Sequence, residues 1–216
     1  MDPVAFPPIR PGESAESAGW SLLRRADAMT VVAPDGSVVE IPLSSEVPSP
    51  PVARRVLVLG GARSGKSSYA ESRLAWAPTV TYVATAFPRP GDAEWARRVA
   101  AHRDRRPAGW PTVETTDLAA VLPAARTPLL VDCFSLWLAA HLDSAELDRL
   151  VDEVVGAWAA CPVPVVAVSS EVGSGVVPVS PSGRRYRDEL GRLNARLAAL
   201  ADEVWLVTAG LPRRLR

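Results

Sequence analysis

Residues 60–68 read Gly-Gly-Ala-Arg-Ser-Gly-Lys-Ser-Ser, and they follow the apolar run Val56-Leu57-Val58-Leu59. The chain carries 24 lysines and arginines together, yet Lys66, inside this stretch, is its only lysine. Gly60-Gly61-Ala62-Arg63-Ser64-Gly65-Lys66-Ser67 fits the pattern G-x-x-x-x-G-K-[ST], a phosphate-binding loop. Glycines let successive backbone N–H groups turn inward around a polyphosphate. The loop then opens a helix, whose N-terminus favours anions. Lys66 is a compact charge for the β- and γ-phosphates, and Ser67 offers a hydroxyl to Mg²⁺. Arginine, a bulky planar fork, does not replace lysine there. A strand, a glycine loop and a helix in that order predict an α/β protein.

The rest of the sequence extends that pattern. Beyond Arg54, the runs 56–60, 79–86, 127–133, 163–170 and 202–210 are short, apolar and rich in β-branched residues, and read as buried strands. Helical periodicity lies between them. Leu147, Leu150, Val151, Val154, Val155 and Trp158 form one stripe, with Asp143 and Glu146 ahead of it spaced as a capping box. Tyr186, Leu190, Leu193, Leu197 and Leu200 form another. Nearly continuous apolar strands alternating with helices predict a mostly parallel sheet with helices on both faces.

Residues 1–53 differ and are expected to be an N-terminal extension to a domain spanning 54–216. Prolines 3, 7, 8 and 11, then 48, 50 and 51, flank a middle in which two β-branched runs surround Pro34-Asp35-Gly36. That middle suggests a small hairpin between linker-like flanks; an unstructured extension over all 53 residues is the alternative.

With 216 residues, 48% apolar and 22% charged, the chain is long enough to bury a real core. Its formal charge of zero gives no footprint for nucleic acid. No apolar run approaches the length of a membrane span, and the start, MDPVAFPPIRPGE, lacks the basic and apolar regions of a secretory signal. Cys133 and Cys161 form no disulfide framework and read as buried thiols. A cytoplasmic enzyme is expected.

A phosphate loop needs an acid near the metal. Asp132 ends the apolar run Leu129-Leu130-Val131 and is the candidate. Ala84-Thr85-Ala86 ends another strand and belongs near the nucleotide, because ligands of open α/β sheets bind at the carboxyl ends of strands. Of the two histidines, His141 reads as a helix-end packing residue. His102 lies among Arg97, Arg98, Arg103, Arg105 and Arg106. A neutral imidazole is a good nucleophile toward phosphorus, and arginines stabilise the charge that develops. A solvated basic helix face with an incidental histidine is the plainer reading of that segment.

GGARSGKSSYAE, YVATA, RRVAAHRDRRPAGWPTVE, LLVDCFSLWL, VSSEVGSGVVP, RRYRDELGRLNARLA and ADEVWLVTAGLP occur in this order. Together they resemble the bifunctional adenosylcobinamide kinase/adenosylcobinamide-phosphate guanylyltransferase family of cobalamin biosynthesis, from about Arg55 to the last residue. The resemblance implies a RecA-like P-loop fold and a homotrimer. It implies two reactions: phosphorylation of the aminopropanol hydroxyl of adenosylcobinamide by GTP or ATP, then transfer of GMP from GTP through a guanylyl-histidine to give adenosylcobinamide-GDP. By position, His102 matches the GMP-accepting residue. Gly60, Gly61, Ala62, Arg63, Ser64, Gly65, Lys66 and Ser67 match the phosphate loop. Ala84, Thr85, Ala86, Arg103, Asp104, Arg105, Arg106, Glu114 and Asp132 match nucleotide positions, with Ser67 and Asp132 toward Mg²⁺. Glu114 is suited to accept from guanine N1–H and N2–H₂. Ser170 stands where many members have Asn, and Ala139-Ala140 where many have Ser-Asn. The alternatives are a P-loop kinase of another small molecule, without guanylyl transfer, and a nucleotide-binding regulatory module.

Overall fold

The computed structural model describes residues 14–17, 19–25, 28–42, 54–85, 91, 97, 99–100, 103, 106–107 and 109–216. The chain divides into two compact units, Met1–Val52 and Ala53–Arg216.

The first unit holds a four-stranded antiparallel sheet in the order β1-β2-β3-β4. Its strands are Ser14–Ser17 (β1), Trp20–Arg24 (β2), Ala28–Val32 (β3) and Val38–Pro42 (β4). β3 and β4 pair across Pro34–Gly36. There the Asp35 carboxylate accepts from the Ser37 backbone N–H at 2.9 Å and from its hydroxyl at 2.7 Å, while Gly36 takes φ 83°. β1 and β2 occupy what the sequence suggested was linker. Ser14–Ser17 has no apolar alternation to announce a strand. The turn depends on Gly19, whose φ of 80° is one that other residues seldom adopt. No described side chain of this sheet is fully buried.

The second unit is built on a seven-stranded sheet, in the order β11-β10-β5-β9-β8-β6-β7. The strands are Arg55–Gly60 (β5), Thr81–Ala84 (β6), Thr112–Glu114 (β7), Leu129–Asp132 (β8), Val165–Ser170 (β9), Glu203–Thr208 (β10) and Leu211–Arg214 (β11). All pairings are parallel except β10 with β11. Five described helices cover it: Lys66–Ser72 (α1), Leu118–Ala124 (α2), Phe134–His141 (α3), Leu147–Ala160 (α4) and Pro181–Leu200 (α5). This is an α/β P-loop fold.

Side chains alternate across the strands, so each of the five strands from β10 to β6 feeds two cores. Leu57, Val83, Leu129, Val131, Val165, Ala167 and Val204 pack under α2, α3, α4 and α5, around Phe134 and Trp158. Those two rings meet edge to face at 6.1 Å. Val56, Val58, Tyr82, Leu130, Val166, Val168 and Val207 face the other way, against Ala70 of α1 and the following Leu74. α2 is capped by Asp117, which accepts from Ala120 N–H at 3.0 Å. α5 is capped by Ser180, which accepts from Gly183 N–H at 3.1 Å, with Pro181 entering the first turn.

The expected capping box of α4 does not form. Glu146 is itself the N-cap and makes no side-chain cap bond; its carboxylate instead pairs with Arg149 one turn on. Both cysteines are buried free thiols. No described helix is long and apolar enough to cross a membrane.

Candidate active site

The loop after β5 is shaped by two glycines. A Cβ on Gly60 would stand 2.5 Å from Ser64 Oγ and 2.6 Å from the Val207 carbonyl oxygen, so no side chain fits there. Gly65 caps α1 with φ 92°, in the left-handed region. Arg63 also takes a positive φ, 56°. The loop is tied to the turn between β10 and β11 by Gly210 N–H, which donates to the Ser64 carbonyl at 2.8 Å. Lys66 curls back, its Nζ donating to the Gly61 carbonyl at 3.1 Å. Ser64 Oγ is buried without a hydrogen-bond partner among the described residues. A phosphate oxygen can satisfy such a hydroxyl, and the loop therefore fits a nucleotide on its own geometry.

The neighbouring strand ends complete the edge. Ala84 lies in register with Asp132 of β8 on one side and Glu114 of β7 on the other. Asp132 follows Leu130 by two residues and so shares the sheet face covered by α1, the helix that carries Ser67. Among the described residues, no group of three or more His, Cys, Asp or Glu side chains is arranged to hold a metal ion. Mg²⁺ needs none, since it binds through one or two carboxylates together with substrate phosphates and water. The Asp132 carboxylate and Ser67 hydroxyl are hard oxygen donors that fit this role.

Asp132 is held from the side. Tyr82 donates its phenol O–H to Asp132 Oδ2 at 2.5 Å. Burial, and next the adjacent Asp132 carboxylate, push the Tyr82 phenol far above its ordinary value. The same ring lies beneath Arg106, whose guanidinium carbon is 3.6 Å from the ring centroid. Sequence reasoning counted Tyr82 only as a strand residue. The signal available was a tyrosine on the same sheet face as Asp132, two positions before Ala84.

Thr85 is fully buried, and its hydroxyl is engaged with the protein itself. It donates to the Cys133 carbonyl at 2.7 Å and accepts from Cys133 N–H at 2.9 Å. Thr85 thus braces the turn after Asp132, and its N–H also donates to the Asp132 carbonyl. Beneath the edge, Cys133 Sγ, Ser135 Oγ and Ser170 Oγ form a chain, with steps of 2.9 and 3.1 Å. Asn194 donates to the Ser170 carbonyl at 3.0 Å. Burial pushes the Cys133 thiol up to about 11, so it stays protonated in that chain at neutral pH.

Glu114 is exposed at the end of the sheet's edge strand, and Arg103 is helical and exposed. His102, Ala86, Asp104 and Arg105 lie outside the described residues. His141 closes α3, its Nδ1 2.8 Å from the Trp137 carbonyl and its ring against Trp137, as a helix-end packing residue does. The Glu171–Gly175 segment leaves β9 beside the phosphate loop. Its Glu171 N–H donates to the Gly60 carbonyl, and its carboxylate accepts from Gly173 N–H at 2.7 Å.

Residues 56–215 match the profile of a family described as cobinamide kinase / cobinamide phosphate guanyltransferase. The chain belongs to that family. It is 39% identical over 181 residues to the bifunctional adenosylcobalamin biosynthesis protein CobU of Salmonella typhimurium, a match covering 74% of this chain and 99% of that one. It is 44% identical over 170 residues to the bifunctional adenosylcobalamin biosynthesis protein CobP of Pseudomonas aeruginosa, covering 75% and 97%. The CobU protein of Escherichia coli is 36% identical over 181 residues, covering 74% and 99%. Among solved structures, a prototypical ATPase from the type III secretion system of pathogenic bacteria is similar at TM-score 0.45 and 13% identity, over 79% of this chain and 62% of that one. In this member of the cobinamide kinase / cobinamide phosphate guanyltransferase family the phosphate loop, Asp132 and Ala84 lie at the carboxyl ends of β5, β8 and β6.

Proposed function

We propose that this chain phosphorylates adenosylcobinamide and then guanylylates the product through His102. The observation that carries the reading is the edge itself. A lysine-bearing phosphate loop, a carboxylate on the same sheet face and an exposed acid stand at the ends of parallel strands, in a chain of this family.

In the kinase step Lys66 and the loop N–H groups hold the β- and γ-phosphates of GTP or ATP. The corrinoid hydroxyl oxygen attacks the γ-phosphorus, the bond to the β-bridging oxygen breaks, and the hydroxyl proton is lost. In the transfer step the His102 imidazole attacks the α-phosphorus of GTP. A P–N bond forms and pyrophosphate leaves. An oxygen of the corrinoid phosphate then attacks the same phosphorus, breaking the P–N bond and restoring the neutral imidazole. Arg103, Arg105 and Arg106 neutralise phosphate charge as these bonds form. Asp132 and Ser67 would hold Mg²⁺, which would supply further charge neutralisation on the phosphates. Glu114 reads guanine, giving GTP preference over ATP in the transfer step. The two steps present different phosphorus atoms, so the nucleotide or a loop rearranges between them. The protein acts in the cytoplasm as a homotrimer, which sedimentation of the purified chain tests.

The deciding experiment exposes the full chain to GTP labelled at the α-phosphate and maps the label by mass spectrometry. An acid-labile, base-stable GMP adduct on His102, with pyrophosphate release abolished in His102→Ala, is the expected result. Turnover of the kinase step with no adduct in the wild-type chain would leave a small-molecule kinase in place of the bifunctional enzyme.

A further inference from the structure

Tyr82 is only 5% exposed, and both its polar and its aromatic functions are engaged. At its tip, the single O–H is donated to Asp132. On its face sits Arg106, which also donates to Thr112 Oγ1 at 3.2 Å. Thr112 is the register partner of Tyr82 across β6 and β7, and Tyr82 N–H donates to the Pro111 carbonyl at 2.9 Å. One rigid strand residue therefore fixes an acid through its edge and a guanidinium through its ring. The two contacts reinforce each other. A phenol that donates to a carboxylate carries a more electron-rich ring, and such a ring attracts a cation more strongly.

We propose that Tyr82 is a positioning residue that couples the two charged groups of the nucleotide site, aiming Asp132 through its hydroxyl and seating Arg106 through its ring. This rests on the reading above, in which Asp132 faces the metal and Arg106 the phosphates. The hydroxyl and the ring have separable consequences. The hydroxyl acts on the metal-dependent part of nucleotide binding, and the ring on the part that persists without metal.

The test is titration of the full chain with GTP, once with Mg²⁺ and once with the metal chelated. Tyr82→Phe keeps the ring and the volume. It is expected to weaken Mg–GTP binding by about tenfold, the loss of one hydrogen bond to a charged group, and to leave metal-free binding within about twofold. Arg106→Gln is expected to weaken metal-free binding by about fivefold, the scale of a desolvated cation–π contact and a phosphate contact together. That loss persists in the Tyr82→Phe background and shrinks below about twofold in Tyr82→Leu, where the platform is gone. In steady state Tyr82→Phe raises KM for Mg–GTP more than it lowers kcat. If Tyr82→Leu does not fold, the Tyr82→Phe titrations decide alone. Equal effects of Tyr82→Phe with and without metal, or no effect in either, would overturn the proposal. So would an Arg106→Gln loss that is the same in all three backgrounds. Absence of a His102 adduct in the wild-type chain leaves these titrations intact and counts against the transfer mechanism only.

Discussion

On one face of the seven-stranded sheet, Leu57, Val83, Val131 and Ala167 are sealed by α2, α3, α4 and α5. On the other, Val58, Tyr82, Leu130 and Val168 meet α1 and then give way, at the strand ends, to Asp132 and the phosphate loop. The strands are the same; only the parity of the residue differs. The first face joins strands to helices through Phe134, Trp158, Leu190 and Leu197, all buried. The second places a tyrosine where the first has valine, and carries polar groups in a partly dry setting where their interactions are strong. Both faces hold the fold together, but only the second ends, within the same layer of backbone, in an acid beside the phosphate loop.

The contrast can be broken most severely from the sealed side. Trp158 is fully buried and its Nε1–H donates to the Leu197 carbonyl. Trp158→Ala is expected to cost about 3–5 kcal/mol of stability, read as a lowered denaturant midpoint, while the fraction still folded binds GTP as the wild type does. Lost nucleotide affinity in the folded fraction would mean the faces are not independent. On the open side, Lys66→Arg should do the opposite. Affinity for GTP is expected to fall by roughly tenfold or more, the scale of a charge-assisted contact, with the thermal midpoint unchanged. Wild-type affinity in that variant would remove the reason given for the lone lysine.

The smallest effect probes both faces together. Tyr69 and Tyr82 on the α1 side and Tyr186 on the other all titrate above the ordinary tyrosine value of 10.0, chiefly through burial, with Tyr186 pushed up to about 12. Raised pKa values mean that the unfolded chain ionises first. Stability is intact below pH 10 and is lost as pH rises through the folded values. Tyrosinate absorbance is expected to lag behind that of the unfolded chain above pH 10 and to reach its full amplitude only with unfolding. Early ionisation of one tyrosine in the native protein would show that its face admits water.

The sequence disclosed the fold where one pattern had one meaning. Val56-Leu57-Val58-Leu59 before a glycine loop, and Leu129-Leu130-Val131 before Asp132, are strands in the structure because parallel strands covered on both sides need apolar residues at every position. It was silent on β11, since Leu211-Pro212-Arg213-Arg214 is exposed throughout and is held by pairing with β10 and by the contacts of Arg214 with Glu203 and Trp205. It misplaced the start of α4, where Ser144 Oγ takes the Glu146 N–H and no reciprocal cap forms. In the site, Lys66 and Asp132 were legible as motif residues. Tyr82 and the bracing role of Thr85 were not, because each depends on a partner about 50 residues away that only the strand order brings close.

β9 runs between β5, which feeds the phosphate loop, and β8, which ends in Asp132. Two strand spacings, roughly 9–10 Å, therefore separate the cradle from the acid. The interposed strand is a spacer between cradle and acid: it runs past Val168, the register partner of Asp132, to Ser170, which stands level with Gly60.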